Sequence, residues 1–184
     1  SVQVHPPGDA AQRLGGEPKT EVWYIAQADP DARLTAGLLR GVKRGQFERK
    51  LGEGRVLECL HTIPVRSGDA MLVPSGRIHA IGAGIVLFEI QQNSNTTYRV
   101  HDWDRLGSDG KRRELHLPQA LASIDFDDFE PDLVRSPFET SDRVMRRRLA
   151  ETPWFEVEEW QVQEPNRHPL RAPNRPVIFG RSEE

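Results

Sequence analysis

Short stretches of β-branched and aromatic residues, separated by Gly and Pro, are the feature of this sequence that most constrains its fold. The 184 residues include 15 Gly and 14 Pro, which favour turns and interrupt regular structure at frequent intervals. Between these turns the pattern predicts strands at 2–5, 21–26, 34–39, 70–73, 85–91, 98–103 and 154–162. Many short strands joined by turns predict a mainly β protein, built as a barrel or a sandwich.

A few segments have helical rather than strand-like patterns. Apolar spacing predicts two short helices within 43–61 and one at 118–124, where Pro118 suits a helix start. A further short helix is predicted at 141–150. The run at 85–91 is almost entirely apolar, so we expect a strand that is buried on both faces.

These elements predict a domain organisation with three parts. Residues 1–120 form the barrel, with a small helical insertion at about 43–61. Residues 121–163 form a connecting segment and a returning strand. Residues 164–184 form a polar tail rich in Pro and Arg, in which 177–179 offers one more strand.

The charge and cysteine content exclude several classes of protein. The formal net charge is −3, so nothing indicates nucleic acid or an anionic membrane as a partner. Cys59 is the sole cysteine, which excludes a disulfide framework. The sequence has no apolar run near the roughly 20 residues of a membrane span and no signal-peptide pattern. We therefore expect a small-molecule partner and a cytoplasmic location.

Polar side chains recur at alternate positions of the predicted strands. Residues i and i+2 of a strand share a face, so Gln3 lies with His5 and Lys19 lies with Glu21. Glu89 similarly shares a face with Gln91. A barrel interior tolerates such groups when a metal and a polar ligand fill it.

A spaced motif links these polar residues to metal chemistry. Gly68, Pro74, Gly76 and His79 form the pattern Gly-x5-Pro-x-Gly-x2-His, in which glycines permit tight turns before the strand that carries His79. Each polar residue alone has a simpler explanation, such as a solvent-facing side chain, an ion pair or a turn histidine. Taken together, they predict one site for a divalent metal, with the ligands Gln3, His5, Glu21 and His79.

The motifs resemble those of known proteins. The Gly-x5-Pro-x-Gly-x2-His spacing resembles the second conserved motif of the cupin barrels. The segments 1–6, 19–24, 76–84, 89–100, 102–105 and 113–116 occur in the order found in type I mannose-6-phosphate isomerases, and they are similar to the short bacterial branch of that family. The resemblance covers about residues 1–120 and fades by residue 163.

The resemblance implies a cupin fold and an enzyme that binds one Zn²⁺ per chain and interconverts mannose 6-phosphate and fructose 6-phosphate. By motif, the zinc ligands would be Gln3, His5, Glu21 and His79. The catalytic residues would be Arg99, Glu89 and Lys19. Ser1 and Arg113 would bind the phosphate end of the sugar.

The implied chemistry moves a proton between C1 and C2 of the open-chain sugar through an enediol or enediolate. Zn²⁺ would act at the sugar oxygens as a Lewis acid or a template, and Arg99 would stabilise negative charge on the enediolate. Glu89 and Lys19 are both candidates for the base, and the sequence does not choose between them.

The chain also differs from the family pattern. Family members usually have a segment before the first metal-binding strand and a second cupin-like domain after the region of 154–162, so we expect a chain truncated at both ends. An open barrel edge would then be available for oligomer formation.

Two other functions are compatible with the same residues. Two His and one carboxylate also describe the iron site of Fe(II) oxygenases, although Gln3 and the run from Gln91 to Arg99 argue against that class. The alternative is a truncated cupin that binds metal or sugar phosphate without turnover.

Overall fold

The computed structural model describes residues 1–107, 109–141, 144–162, 177 and 180. The chain divides into two compact units, Ser1–Val134 and Arg135–Glu184. Apart from Val177 and Gly180, the predicted tail at 164–184 lies outside the described residues, and so does most of the strand predicted at 177–179.

The first unit contains eight described strands and three α-helices. They follow the order β1 (Val2–Val4), α1 (Gly8–Leu14), β2 (Glu21–Ala28), β3 (Arg33–Leu38), α2 (Arg44–Gly52), a 3-10 helix (Val56–Cys59), β4 (Leu60–Pro64), β5 (Ala70–Val73), β6 (His79–Ile81), β7 (Ile85–Gln91), β8 (Tyr98–His101) and α3 (Leu117–Ser123). The strands form a five-stranded sheet, β4-β3-β6-β1-β8, and a three-stranded sheet, β5-β2-β7. All described pairings between them are antiparallel, and the mainly β prediction is confirmed.

Two hydrophobic clusters hold this unit together. One contains Trp23 and Met71 from the smaller sheet and Leu34 from the larger, so it fills the space between the sheets. The other joins the opposite face of the larger sheet, through residues such as Val4, to Phe47 of α2 and other helical residues. The alternation in β1 therefore sends its valines towards the helices and its polar residues towards the opposing sheet.

The second unit contains a three-stranded antiparallel sheet, β11-β10-β9, made of β9 (Glu139–Ser141), β10 (Val144–Glu151) and β11 (Glu156–Val162). The helix predicted at 141–150 is wrong, because β10 pairs with β11 along its length. Met, Arg, Leu and Ala favour helices locally, but cross-strand pairing overrides that preference here.

Two further differences from the sequence analysis concern β7 and α1. β7 pairs with β2 alone among the described strands, and Val86 is 58% exposed and Phe88 39% exposed, so its predicted burial on both faces is wrong. After Pro7 the chain forms α1, a helix that is not among those predicted from the sequence, with Asp9 in its first turn and Gly15 at φ 67° after its last residue. None of the described helices is both long and apolar enough to cross a membrane.

Candidate metal centre

Three ligand-type side chains meet in the space between the two sheets. His5 follows β1, Glu21 begins β2 and His79 begins β6, and each residue is only 1% exposed. Their candidate ligand atoms all lie within 4.8 Å of one another. Two strands of the larger sheet and one of the smaller sheet thus supply a single buried cluster of two imidazoles and one carboxylate.

The turn before β6 places His79 in this cluster. Gly76 in this turn has a φ of 91°, and Gly68 in the turn before β5 has a φ of 85°, values that glycine adopts without the steric penalty of a side chain. The backbone N–H of Gly76 donates to the His5 carbonyl oxygen at 2.8 Å. This bond ties the turn to the chain segment that carries the first histidine, and Gln3 stands opposite His79 in the β1–β6 register.

Backbone carbonyl groups orient both imidazoles. Nδ1 of His5 lies 2.8 Å from the Thr96 carbonyl oxygen, and Nδ1 of His79 lies 2.8 Å from the Arg77 carbonyl oxygen. Since a carbonyl only accepts, each Nδ1 carries a proton, and in the neutral imidazole each Nε2 carries a lone pair. That tautomer is the usual one for histidines that bind metals through Nε2.

Arg77 is itself held firmly. Its guanidinium donates to the two carboxylate oxygens of Asp128 at 2.7 and 2.8 Å, and to the Leu72 carbonyl oxygen at 2.7 Å. The carbonyl that orients His79 therefore belongs to a residue fixed by a bidentate ion pair.

Electrostatics keep the ligands in the forms that bind metal. Burial would raise the pKa of Glu21, but contacts with His5, His79 and Lys19 outweigh it and lower that pKa to about 2. Burial, with a further contribution from His5, lowers the pKa of His79 to about 4. At neutral pH the cluster thus offers a carboxylate and a neutral imidazole.

One contact within the cluster is unfavourable unless a cation is present. His5 Nε2 lies 3.0 Å from Glu21 Oε1, yet neither atom has a hydrogen-bond partner of suitable geometry among the described residues. Lys19 Nζ, 2.8 Å from the same Glu21 oxygen, offsets the charge of the carboxylate, but the lone pairs of the imidazole nitrogen and the carboxylate oxygen still face each other, which is unfavourable unless a proton or a metal cation lies between them. Two imidazole nitrogens and one carboxylate are a donor set that suits Zn²⁺, so the residues fit a metal.

Gln3 lies beside the cluster. Its Nε2 is 3.3 Å from His79 Nε2, and its Oε1 accepts a hydrogen bond from Ser1 Oγ at 3.0 Å. As a fourth ligand it would have to turn its amide so that Oε1 replaced Nε2.

The predicted catalytic side chains surround these ligands. Arg99 stands opposite Gln3 in the β1–β8 register, so both side chains share the face that carries His79. Its Nη1 donates to the Glu114 carbonyl oxygen at 2.8 Å, while its buried Nε has no hydrogen-bond partner among the described residues.

Lys19 and Glu89 lie on the other side of the cluster. Lys19 Nζ is 2.8 Å from Glu21 Oε1 and 4.0 Å from Glu89 Oε1. Burial and the nearby charge of Glu21 raise the pKa of Glu89, whose side chain is 35% exposed. Lys19 is thus held by a proposed metal ligand, whereas the carboxylate of Glu89 is partly exposed.

The two predicted phosphate-binding residues differ in their surroundings. Ser1 contacts Gln3 directly, whereas the guanidinium of Arg113 donates to Asp102, with Nε at 2.7 Å from Oδ2.

Sequence reasoning missed the residues that orient the ligands. Besides Arg77 and Asp128, these include Trp23, whose Nε1 donates to Glu21 Oε2 at 2.9 Å. The position of Trp23, two residues after Glu21 on the same face of β2, was the available signal.

An eight-stranded, two-sheet barrel that encloses two histidines and a glutamate defines the class of protein: a cupin with a candidate centre for one divalent metal. Comparison with proteins of known structure supports this class, although no protein-family model matches the chain. A solved structure of mannose 6-phosphate isomerase from Bacillus subtilis superposes with a TM-score of 0.81 at 30% identity, covering 89% of this chain and 52% of that one. A zinc-bound mannose 6-phosphate isomerase shares the fold, with a TM-score of 0.56 at 12% identity over 82% of this chain and 57% of that one.

Sequence relatives narrow the assignment. Mannose-6-phosphate isomerase ManA of Bacillus subtilis is 37% identical over 164 residues, and the mannose-6-phosphate isomerase of Streptococcus mutans is 36% identical over 163 residues. Each match covers 88% of this chain and 51% of the relative. These relatives and the motifs of the sequence indicate the same family, the mannose-6-phosphate isomerases, and the chain spans about half the length of these curated relatives.

Proposed function

We propose that this chain forms the catalytic barrel of a zinc-dependent aldose–ketose isomerase that interconverts mannose 6-phosphate and fructose 6-phosphate. The observation that carries the proposal is the buried pair of His5 Nε2 and Glu21 Oε1, which face each other at 3.0 Å without a hydrogen bond of suitable geometry. Similarity to curated mannose-6-phosphate isomerases supports the choice of substrate.

The proposed metal is one Zn²⁺ per chain, held by His5, Glu21 and His79 with Gln3 as the fourth ligand. When bound, the metal supplies a Lewis acid for the oxygens of the open-chain sugar. His5, Glu21 and His79 are buried, so little water would reach the end of the substrate that reacts. Electrostatic interactions are stronger where water is excluded.

Arg99 is the proposed electrostatic catalyst. Moving a proton between C1 and C2 puts negative charge on the enediolate oxygens, and a fixed guanidinium stabilises that charge. Two features of Arg99 support this role. The bond to the Glu114 carbonyl holds the guanidinium in place, and the buried Nε has a donor that no described residue uses.

Glu89 is the proposed base. A general base works best when its pKa lies near the operating pH, and burial together with Glu21 raises the pKa of Glu89. Its partial exposure leaves the carboxylate accessible to a substrate. Lys19, at 2.8 Å from Glu21, is suited instead to neutralising that carboxylate and to orienting the sugar hydroxyl groups.

A coupled assay of fructose 6-phosphate formation from mannose 6-phosphate tests the proposal. Zinc-loaded protein should turn over, chelator-treated protein should not, and added Zn²⁺ should restore activity. Glu21→Gln should abolish activity, and Glu17→Gln, an exposed Glu in the loop before β2, is the matched control.

Two other results would replace the isomerase with another function. Zinc bound without turnover, even at high protein concentration, would indicate a barrel that binds metal without catalysis. Fe(II)-dependent O₂ uptake would indicate an oxygenase.

A further inference from the structure

A buried carboxylate near the metal centre holds two arginines together. Asp102 follows β8, and its side chain is 4% exposed. Arg113 donates to it through Nε at 2.7 Å and through Nη2, and Arg105 donates through Nε at 3.1 Å and through Nη2. The guanidiniums themselves are more open, at 38% and 52% exposed. One buried acid thus fixes two accessible cations side by side.

These groups line an open cleft of about 110 Å³, together with His101, Asp104, Arg112 and Leu115. Arg112 pairs with Asp104 at 3.0 Å, so that pair is neutral. Arg105 and Arg113 share one carboxylate, which leaves the cleft with a net positive charge. Nη1 of each of these two arginines makes no hydrogen bond to the described residues, so both retain donors for a ligand.

The backbone that joins Asp102 to Arg105 is strained. Trp103 and Asp104 have φ values of 49° and 54°, in the left-handed region that residues other than glycine rarely adopt. Backbone strain of this kind persists where the surrounding structure enforces it, and it concentrates at functional sites. The strained turn returns Arg105 to Asp102, and its N–H donates to the Asp102 carbonyl oxygen at 3.0 Å.

The cleft lies at a suitable place for the far end of a sugar phosphate. His101 of the cleft pairs with Val2, and the next pair along the two strands is Gln3 with Arg99. Two residues of a regular strand span about 6.6 Å, and a bulge lies between these two pairs, so the cleft begins within roughly that distance of the proposed catalytic arginine along β8. In a hexose 6-phosphate, the phosphate is at the opposite end of the carbon chain from C1 and C2.

We propose that Arg105 and Arg113, held side by side by Asp102, bind the phosphate group of the sugar phosphate. The inference rests on the proposed isomerase function and adds two residues to it: Arg105 as a second phosphate ligand and Asp102 as the residue that positions both arginines. Guanidinium groups suit this role because their planar N–H donors match phosphate oxygens in a bidentate manner.

Calorimetric titration with fructose 6-phosphate, inorganic phosphate and fructose tests the proposal without requiring turnover. Arg105→Ala and Arg113→Ala should each weaken fructose 6-phosphate binding by about ten- to hundred-fold, the usual effect of losing a charge-assisted hydrogen bond. Fructose binding should be unchanged. Each single variant leaves Asp102 one cationic partner, so we expect both to fold. Arg13→Ala, which removes an exposed arginine from α1, is the matched control.

Asp102→Asn tests the positioning role. It keeps both arginines but releases them, so fructose 6-phosphate affinity should fall while the protein still binds one zinc. Asp9→Asn is its control. Should Asp102→Asn fail to fold, Arg113→Lys keeps the charge without the planar fork and should also lose affinity for fructose 6-phosphate, although less than Arg113→Ala.

Inorganic phosphate distinguishes the cleft from the metal as the anion site. It should bind metal-free and zinc-loaded protein alike. Binding that requires zinc, or affinities in the arginine variants equal to that of Arg13→Ala, would overturn the proposal. Phosphate binding at the cleft without any isomerase activity would refute the isomerase function alone. Turnover with an unchanged KM in both arginine variants would refute the phosphate site alone.

Discussion

Asp128→Asn tests whether the ion pair behind His79 sets the affinity of the metal centre. Asp128 holds Arg77 through two hydrogen bonds of 2.7 and 2.8 Å, and the Arg77 carbonyl fixes the Nδ1–H of His79 at 2.8 Å. An asparagine keeps the shape but loses the charge and one of the two acceptors. Asp128 lies far from the chemistry in the sequence, and nothing in its own residue type suggests a link to a metal.

The expected loss of stability follows from these contacts. A hydrogen bond to a charged group contributes about 1.5–3 kcal/mol, and the side chains of the pair are 14% and 16% exposed, so partial screening favours the lower part of that range. We expect the free energy of unfolding to fall by about 2 kcal/mol, which at a urea m-value of about 2 kcal/mol per molar shifts the midpoint by about 1 M.

The expected loss of metal affinity is smaller in energy but more specific. Removing a group that orients a metal ligand typically costs 10- to 100-fold in affinity, and the remaining bond from Arg77 to the Leu72 carbonyl favours about ten-fold here. Competition between the protein and a chelating dye for Zn²⁺ measures this change. Glu130→Gln is the control, because Glu130 lies in the same loop as Asp128 and forms an ion pair with the exposed Arg40. It should leave the free energy of unfolding and the zinc affinity nearly unchanged. If Asp128→Asn loses stability but binds zinc as tightly as Glu130→Gln, the ion pair does not position His79.

Three further predictions address other parts of the barrel. Arg99→Ala should lose about 10²- to 10³-fold in kcat yet retain one zinc per chain, as enzyme assays with metal analysis would establish; loss of the metal would refute its assigned role. Gly76→Ala should destabilise the protein by about 1–2 kcal/mol in urea titrations, because φ is 91° there, whereas Gly8→Ala, with open space around it, should not. Hydrogen bonds from Arg113, against the opposing effect of burial, hold the pKa of Asp102 below its ordinary value of 3.8. The stabilisation from that carboxylate is therefore present above about pH 4 and lost as the pH falls further. Between pH 5 and pH 3, the free energy of unfolding in urea should fall more for the wild type than for Asp102→Asn. Equal falls in the two proteins would contradict the lowered pKa.

The strands of the barrel were predictable because they obey a local rule. In β1 and β2 the side-chain alternation distinguishes the face towards the helices from the face towards the opposing sheet, and the residues that flank each strand are strong turn formers. The metal cluster followed from the same alternation, together with the Gly and Pro spacing before His79. Each of these patterns is local, although the cluster itself joins three separate segments of the chain.

The errors arise where tertiary structure decides. The segment that includes β10 has a composition typical of a helix, and only its pairing with β11 makes it a strand. The apolar run of β7 resembles a buried central strand, but its position at the edge of the described sheet leaves Val86 and Phe88 exposed. The local composition of a segment does not determine which strand will pair with it.

The supporting contacts of the site were equally inaccessible to sequence reasoning. Arg77 meets Asp128 across 51 residues, and His5 meets Thr96 across 91 residues. Asp102 lies in the segment 102–105 that resembles the family, but only the folded chain identifies it as the buried partner of two arginines.

Titration of metal-free protein with Co²⁺, followed by its visible absorption spectrum, tests the metal centre most directly. We predict saturation at one equivalent per chain, a spectrum typical of tetrahedral nitrogen and oxygen ligation, and displacement of Co²⁺ by one equivalent of Zn²⁺. Glu21→Gln should prevent saturation, whereas Glu17→Gln should not. A wild-type protein that binds no Co²⁺ at this stoichiometry, or one in which Glu21→Gln binds it equally well, would contradict the assignment of His5, Glu21 and His79 as the metal site.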